Sequence, residues 1–522
     1  MQIQARSTAD ENPFSRSQRV FSELTGRLAS GEVLAMQHGD LERLLDREGR
    51  EVLRQLLQDH IDLRGPGTAE QDVVGAGGVR RTQTRLRERH LKTLFGTVGV
   101  SRVGYAVRDA DALFPKDAEL NLPPDLYSHG VQRRAVDEVV KTSFDQAAAS
   151  IESTTGTTVP KRQLEGLTAH AAADFDAFYE ARAAQSLREA SKTGPILAMS
   201  TDAKGIVMRP DDLREATRKA AALRTHKMVK RLSRGEKRNC KRMAQVATVF
   251  TIAAFVRKPE DIVAELGPAS DRSTPTARPR PENKRVWASV DKNPADVIDQ
   301  MFEEALRRDP ARDKLWVALV DGNPTQIKLI KKTSRRHEVK PTIILDVIHV
   351  LEYLWKAGFA LHGEGSTSTE RWVSDRLREI LRGNSSDVAS GMRRSATLRK
   401  MKATDRAAVD TCADYLLKYR SYLRYDQYLA AGMPIATGVI EGACRHLIKD
   451  RMDITGACWR LRGAEAVLKL RSLRSSDDLD DYWAFHEAAE HRRNHLDLYQ
   501  GPAPRTVLPL KLNGRPRLRL VN

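Results

Sequence analysis

The chain has 522 residues, more than one hydrophobic core supports, so its length predicts about two to four domains. Lysine and arginine exceed aspartate and glutamate by 87 − 69 = 18, which favours a polyanionic partner and puts nucleic acid ahead of an anionic membrane. The four cysteines form no C-x-x-C pair, which argues against a zinc finger, and the longest apolar run, residues 246 to 256, is far shorter than the roughly 20 residues of a membrane-spanning helix.

The N-terminal part of the chain is predicted to hold helices and one β-hairpin. Between residues 17 and 63, apolar residues recur at the spacing of amphipathic helices. The glycine-rich residues 75 to 85 predict a linker, and residues 91 to 107, rich in Val, Thr and Gly, predict the hairpin. The first residues lack the charged and apolar regions of a signal peptide, so we expect a cytoplasmic, nucleoid-associated protein.

Residues 130 to 182 return to a helical pattern with a short turn at TTVPKR, which is typical of a helix-turn-helix. The second helix is predicted to take Thr158 as its N-cap. Lys161 and Arg162 then lie in its first turn, where a recognition helix contacts DNA. An ordinary helical hairpin has the same pattern and is the alternative.

Strands and helices alternate from residue 195 to about residue 358, which is the pattern of an α/β domain. Strands are predicted at 195–208, 243–258, 284–290, 314–322 and the start of 341–358. The segments between them are predicted to be a basic helix at 211–243, a mobile Pro- and Arg-rich loop at 269–284, and helices at 294–308 and 323–336. From about residue 361 to 435 only helices are predicted, as expected for an insertion.

Two aspartates end apolar strands. Asp202 follows ILAMST and Asp321 follows LWVALV. An ionised carboxylate beside a core is costly unless a partner compensates it, and Mg²⁺ is one such partner because it takes carboxylate oxygens as ligands. Acids from separate segments that hold two ions about 4 Å apart promote phosphoryl displacement. For either aspartate alone, a turn or helix-cap role is the alternative.

Glu441 lies in a helical segment between Gly438 and Gly442. An acid in this setting is able to face a metal while its basic neighbours face phosphate. The neighbours predicted to bind DNA are Arg445, His446, Lys449 and Arg451. The alternative is a surface ion pair between Glu441 and Arg445, since these residues are four positions apart on a helix.

Four sequence blocks, in this order, resemble the ISKra-type insertion-sequence transposases, relatives of the Mutator-like DDE group. The blocks are STDAKG, LVDGNPTQIKL, ILDVIHVLEYLWKAG and TGVIEGACRHLIKDRMDITGACW. The resemblance spans about residues 90 to 475. It implies an α/β fold with an RNase H-like catalytic core and an all-α insertion, preceded by a helical N-terminal region that contains a helix-turn-helix.

The resemblance also implies which residues form the site. Asp202, Asp321 and Glu441 correspond to a catalytic triad that binds two Mg²⁺ ions, with Mn²⁺ as a possible substitute. Asp346 and His349 fall on an Asp-x-x-His motif and would support the triad, although His349 as a core histidine is the alternative.

Trp459 matches the aromatic residue that follows the catalytic glutamate in the family. Such a ring is expected to stack on a base or wedge the transposon end open, with ordinary packing as the alternative. The chain departs from the family pattern in two places. Residues 104 to 126 contain no cysteine, and Ala203 follows Asp202 where the family has glycine.

The domain boundaries predicted from these features follow the chain. They are an N-terminal helical region at 1–90, a small β-hairpin module at 91–129, a helix-turn-helix region at 130–190, an RNase H-like catalytic domain at 191–475 with its insertion at about 361–435, and a basic Pro- and Arg-rich tail at 476–522.

The predicted function is a DDE transposase of a bacterial insertion sequence. It would bind the terminal inverted repeats, cleave DNA with Mg²⁺ and join the freed 3′ end to target DNA, as a homodimer or higher multimer without a membrane partner. One alternative is an inactive or domesticated DNA-binding protein, and another is an RNase H-fold nuclease without strand transfer. A serine or tyrosine recombinase, which needs a Ser or Tyr nucleophile among clustered arginines, is disfavoured. Tyr422, Tyr425 and Tyr428 lie near arginines in the sequence, but no other feature of the chain supports this class.

Overall fold

A computed structural model describes residues 12–185, 193–223, 240–266, 278–454 and 456–508. The chain divides into two compact units. Unit 1 consists of Met1–Asp174 and Asp480–Asn522, and unit 2 consists of Phe175–Leu479. Within the described ranges, each helix is too short or too polar to cross a membrane.

Unit 1 combines helices with a small antiparallel sheet. Its helices in chain order are α1 (Ser15–Leu28), α2 (Gly31–Leu34), α3 (His38–Leu63), α4 (Pro115–Leu120), α5 (His129–Val139), α6 (Phe144–Thr154) and α7 (Lys161–Ala171). Its strands are β1 (Gln83–Thr93), β2 (Gly96–Val107) and β3 (Ala110–Leu113), in the order β1-β2-β3.

The predicted hairpin is present as β1 and β2, which pair antiparallel from Gln83↔Ala106 to Thr93↔Gly96. It begins earlier than residue 91, and β3 adds a third strand to it. The early part of β1 is exposed and mostly polar. The apolar signal on which the sequence prediction rested therefore covers only its end.

Helices α5, α6 and α7 form the predicted helical segment around a short turn. Helix α6 begins with a capping box in which Ser143 and Gln146 exchange hydrogen bonds. Helix α7 begins at Lys161 with Pro160 as its N-cap, so the prediction of Thr158 as N-cap is wrong. The reason is steric, because a residue that precedes proline is disfavoured in the helical region and the helix cannot start before Pro160.

The predicted tail at 476–522 contains a helix. The structure has α21 at Leu479–Asn494, and the Tyr482 hydroxyl on this helix donates a hydrogen bond to the carbonyl oxygen of Ala171 at 2.6 Å. The side chain of Tyr482 is fully buried. Burial of the Tyr482 ring stabilises this helix. The sequence prediction missed the helix because charged residues surround the tyrosine. Residues 509–522 lie outside the described residues.

Unit 2 is built on a five-stranded mixed sheet in the order β6-β5-β4-β7-β8. The strands are β4 (Ile196–Val207), β5 (Lys241–Ile252), β6 (Glu282–Ser289), β7 (Leu315–Val320) and β8 (Thr342–Leu345). Strand β5 is antiparallel to both β4 and β6, whereas β7 runs parallel to β4 and β8 runs parallel to β7. Continuous burial along β7 and the first half of β4 is typical of strands covered on both faces.

The helices of unit 2 surround and extend this sheet. They are α8 (Phe175–Gln185), α9 (Glu215–Ala222), α10 (Pro259–Leu266), α11 (Pro294–Arg308), α12 (Pro324–Arg336), α13 (Val347–His362), α14 (Thr367–Leu381), α15 (Ser385–Leu398), α16 (Ala403–Lys418), α17 (Tyr425–Ala430), α18 (Gly438–Ala443), α19 (Asp450–Met452) and α20 (Leu461–Ser475). A π-helical turn at Cys444–Lys449 joins α18 to α19. Between 363 and 437 the regular elements are helical, in agreement with the sequence pattern.

Two predicted segments of unit 2 differ from the structure. The basic helix predicted at 211–243 is observed only as α9, because residues 224–239 lie outside the described residues and Lys241–Met243 already belong to β5. The Arg242 side chain donates a hydrogen bond from Nε to the carbonyl oxygen of Val290 at 2.8 Å, which stabilises this early start of the strand. Of the predicted loop at 269–284, residues 269–277 are not described, and β6 begins at Glu282.

Candidate active site

Three aspartates belong to neighbouring parallel strands: Asp202 lies in the middle of β4, not at the strand end that the sequence predicts, whereas Asp321 and Asp346 directly follow β7 and β8. The register pairs Ser200 with Leu319, and Val320 with Leu345. Continued at the same offsets, it puts Asp202 beside Asp321 and Asp321 beside Asp346, at strand spacings of roughly 5 Å. Paired residues on parallel strands point to the same face of a sheet. By this extension of the register, Asp202, Asp321 and Asp346 form one row across β4, β7 and β8.

Asp321 is held by the turn that ends β7. Its Oδ1 accepts a hydrogen bond from the backbone N–H of Asn323 at 2.8 Å, and its carbonyl oxygen accepts one from the Tyr415 hydroxyl at 3.2 Å. Gly322 has φ +96°, a conformation that residues with a side chain rarely adopt. The V-D-G sequence thus forms a tight turn that leaves the partly exposed Asp321 carboxylate at the strand end.

Asp346 is the N-cap of α13 and is fully buried. Its Oδ1 accepts a hydrogen bond from the Ile348 N–H at 3.0 Å. Its Oδ2 accepts hydrogen bonds from the Thr437 hydroxyl and from Nδ1 of His349, the latter at 3.0 Å. These donors compensate the buried charge and fix the positions of the side chains that supply them.

His349 lies beside Asp346 with one third of its side chain exposed. The hydrogen bond to Asp346 raises the pKa of His349 to about 9, against the opposing effect of burial. The ring is therefore mostly protonated near neutral pH in the absence of a metal ion. A cation at this position is able to contact a phosphate oxygen, and the same ring is able to bind a metal once it loses its proton.

Glu441, on α18, lies close to the row of aspartates. The Thr437 hydroxyl lies 3.3 Å from its Oε1, and the Sγ of Cys444 lies 3.1 Å from Oδ2 of Asp202. Thr437, Glu441 and Cys444 are spaced by four and three positions, which places them along one helix face. That face reaches from Asp346 to Asp202 and brings Glu441 to the aspartates.

The acids of the site influence one another electrostatically. Partial burial and the nearby charge of Asp346 raise the pKa of Glu441. Burial, together with the charge of Asp202, raises the pKa of the Cys444 thiol, which is therefore a neutral donor to that carboxylate. Carboxylates crowded in this way are stabilised by a cation.

The donor set fits a hard divalent metal ion. Asp202 and Asp321 are partly exposed and Glu441 is exposed, so their carboxylate oxygens are accessible. Asp346, His349 and Glu441 each offer a ligand atom, and these atoms lie within 4.8 Å of one another. Carboxylate oxygens from separate elements are the ligands that Mg²⁺ prefers in phosphoryl-transfer sites, and Mn²⁺ accepts the same donors.

The predicted DNA-binding residues after Glu441 divide into two groups. Arg445, His446 and Lys449 are exposed, and the first two lie 3.8 and 3.1 Å from carboxylate oxygens of Asp450. Arg451 is buried, and burial lowers its pKa to about 10. The predicted contact of Arg451 with DNA disagrees with this position.

Trp459 is buried as well. Its indole N–H donates a hydrogen bond to the Met452 carbonyl oxygen at 3.0 Å, and the Arg451 guanidinium lies 4.8 Å from its ring centroid. Its backbone N–H bonds to the carbonyl oxygen of Val207 at the end of β4. This position favours the packing alternative over stacking on a base.

Lys161 and Arg162 belong to unit 1, where both are exposed at the start of α7. The Lys161 ammonium lies 2.7 Å from Oδ2 of Asp145 on α6. An exposed ion pair of this kind contributes little to stability and does not prevent a phosphate contact. The DNA-binding role of these two residues remains a prediction.

Sequence reasoning missed two residues that build the site, Thr437 and Cys444. Their signal was the helical spacing relative to Glu441, which places all three on one face. The π-helical turn that contains Cys444 is a second sign, because such turns concentrate at functional sites.

No protein-family model and no curated protein matches the chain. One solved structure that resembles it is the Drosophila P element transposase strand transfer complex, with a TM-score of 0.22 and 8% sequence identity, over 71% of this chain and 81% of that chain. A TM-score of this size supports no conclusion about fold or function.

Proposed function

We propose that the chain is a metal-dependent enzyme that cleaves and joins DNA strands, a DDE transposase of the ISKra type. The observation that carries the proposal is the alignment of Asp202, inside β4, with Asp321 and Asp346, which directly follow β7 and β8, together with Glu441 on α18. We further propose that the mixed sheet in unit 2, with its antiparallel second strand, is an RNase H-like core.

In this proposal, Asp202, Asp321 and Glu441 hold the metal ions. Two bound Mg²⁺ ions would supply charge stabilisation for the attacking and leaving oxygens of phosphoryl transfer. Asp346 is a positioning residue, because its buried carboxylate is occupied by donors from α13 and from Thr437. His349, whose side chain is one third exposed, would donate a hydrogen bond to a phosphate oxygen.

The DNA is proposed to lie along the exposed basic side of the π-helical turn. Arg445 and Lys449 there lie four and eight positions after Glu441 and are exposed to solvent. Contacts of Lys and Arg with phosphates supply affinity without sequence preference. Recognition of the terminal inverted repeats is assigned to unit 1 through Lys161 and Arg162, and a multimer would bring two transposon ends together.

The test is an end-cleavage and joining assay with full-length protein, Mg²⁺ and duplex DNA that carries the inverted repeats flanking the gene. The wild type should cut the end and form joined products. Glu441→Gln should abolish both steps while keeping DNA affinity, because it removes a metal-binding charge and leaves the basic surface intact. Glu364→Gln is the matched control, since Glu364 is exposed in a loop of the helical insertion.

Each alternative function predicts a different result. A nuclease without strand transfer gives cut DNA and no joined product. A domesticated DNA-binding protein binds the repeats and cuts nothing. Cleavage by Glu441→Gln at the wild-type rate would contradict the assignment of Glu441 to the metal site.

A further inference from the structure

A second cluster of ligand-type side chains lies in unit 1, where the end of α7 contacts α21. His170 on α7 and His486 and Glu490 on α21 each offer a ligand atom, and these atoms lie within 4.8 Å of one another. His486 and Glu490 are four residues apart and therefore share one helix face. The cluster belongs to neither the acid row of unit 2 nor the predicted DNA contacts.

His486 has the hydrogen bonding of a metal-binding histidine. Its side chain is fully buried, and one ring nitrogen, Nδ1, lies 2.7 Å from Oδ2 of Asp174. The other, Nε2, is buried without a hydrogen-bond partner among the described residues. Metal-bound histidines typically donate one ring N–H to a carboxylate, which fixes the ring and leaves the second nitrogen for the ion.

The net charge around the cluster favours binding of a cation. Glu490 is almost fully buried, and its Oε2 lies 2.9 Å from Nε2 of His170 and 2.7 Å from the side-chain nitrogen of Asn494. The guanidinium of Arg493 is shared between Glu490 and Asp174. Two carboxylates thus face one guanidinium, which leaves a net negative charge when both histidines are neutral.

We propose that His170, His486 and Glu490 bind one divalent transition-metal ion of the zinc type, with Asp174 as the positioning residue for His486. Two imidazoles and one carboxylate suit Zn²⁺, whereas Mg²⁺ prefers oxygen ligands. The ion takes the place of the hydrogen bond between His170 and Glu490. His170, with one third of its side chain exposed, lies on the solvent side of the cluster and provides the route of entry.

The consequence is a metal clamp between two helices of unit 1. Helix α7 carries Lys161 and Arg162 at its start and His170 in its last turn. Helix α21 brings the chain back to unit 1 from far along the sequence. Zinc would hold α7 against α21 and so stabilise the helix predicted to contact DNA, independently of the acids in unit 2.

The test uses full-length protein stripped with a chelator and titrated with ZnCl₂ in excess Mg²⁺ against a chromogenic zinc chelator. The wild type should bind one tight Zn²⁺ per chain and gain thermal stability. His486→Gln and Glu490→Gln should weaken binding at least about 100-fold, and Asp174→Asn about 10- to 100-fold. His491→Gln should bind as the wild type does, because His491 follows Glu490 directly but its Nε2 lies 2.7 Å from the carbonyl oxygen of Ala118 and not in the cluster.

Two further variants keep the result interpretable. Asp321→Asn should retain the zinc, which separates this site from the candidate active site. Glu490→Gln preserves the shape of the side chain, so it carries the test, with circular dichroism as the check on folding, if His486→Gln does not fold. Absence of a tight stoichiometric Zn²⁺ in the wild type, or wild-type affinity in Glu490→Gln, would overturn the proposal.

Discussion

Thr437 links two carboxylates of the candidate active site, and its removal tests how the site is held together. Its hydroxyl bonds to the fully buried Asp346 and lies 3.3 Å from Glu441. Thr437→Val removes the hydroxyl with little change in shape. A hydrogen bond to a charged group contributes about 1.5 to 3 kcal/mol. We expect the free energy of unfolding to fall by that amount, because Asp346 keeps its bonds to Ile348 and His349 and is not left unpaired.

The same change should affect activity. Glu441 loses the contact that orients it, and loss of such a supporting contact lowers the activity of a metal site about 10- to 100-fold. Stability is measured by urea denaturation followed by circular dichroism, and activity by the rate of DNA cleavage. Thr437→Ser keeps the hydroxyl and should stay close to the wild type. Equal stability and equal cleavage rates for the valine and serine variants would show that the Thr437 hydroxyl does not hold the two carboxylates.

Three further predictions test separate parts of the site. Iodoacetamide at pH 8 should modify the exposed Cys458 well before Cys444, because burial raises the pKa of the Cys444 thiol; equal rates by peptide mass spectrometry would contradict this. The hydrogen bond to Asp346 raises the pKa of His349 to about 9, so its stabilising effect is complete below the unfolded-state pKa of about 6.5 and is lost as pH rises through 9. In metal-free buffer the difference in free energy of unfolding between wild type and His349→Gln should shrink as the pH rises through 9, and a difference that stays constant would contradict the role of this hydrogen bond. Gly322→Ala should destabilise by about 1 to 3 kcal/mol, because φ is +96° there; an unchanged urea midpoint would show that the turn is not strained.

Several helices and strands of unit 2 were predictable because their capping residues and apolar runs match the observed elements. Helix α11 occupies the predicted residues, since Asn293 caps it and Pro294 is its first residue. Strands β4 and β7 were visible as apolar runs because both faces of the sheet are covered. Helix α21 was missed, since its apolar residues are few and their burial depends on α7, far away in sequence.

The site was predictable only in part. Sequence motifs predict Asp202, Asp321 and Glu441 one by one as metal ligands, whereas the position of Asp346 in the same row depends on the registers between β4, β7 and β8. A sequence alone does not reveal a register between distant strands.

The burial of Arg451 was hidden for a related reason. A π-helical turn adds one residue to the helix and so rotates the residues that follow it about the helix axis. A basic residue that the regular helical pattern predicts to be exposed therefore lies in the interior.

We propose that Asp202, Asp321 and Glu441 surround one metal centre. Fe²⁺ bound in place of Mg²⁺ generates hydroxyl radicals that cut the nearby backbone, so fragment masses reveal which segments surround the ion. We predict cuts near residues 202, 321 and 441 together in the wild type and in Glu364→Gln, and their joint loss in Asp321→Asn. Absence of these cuts, or their persistence in Asp321→Asn, would show that the three residues do not share a metal centre.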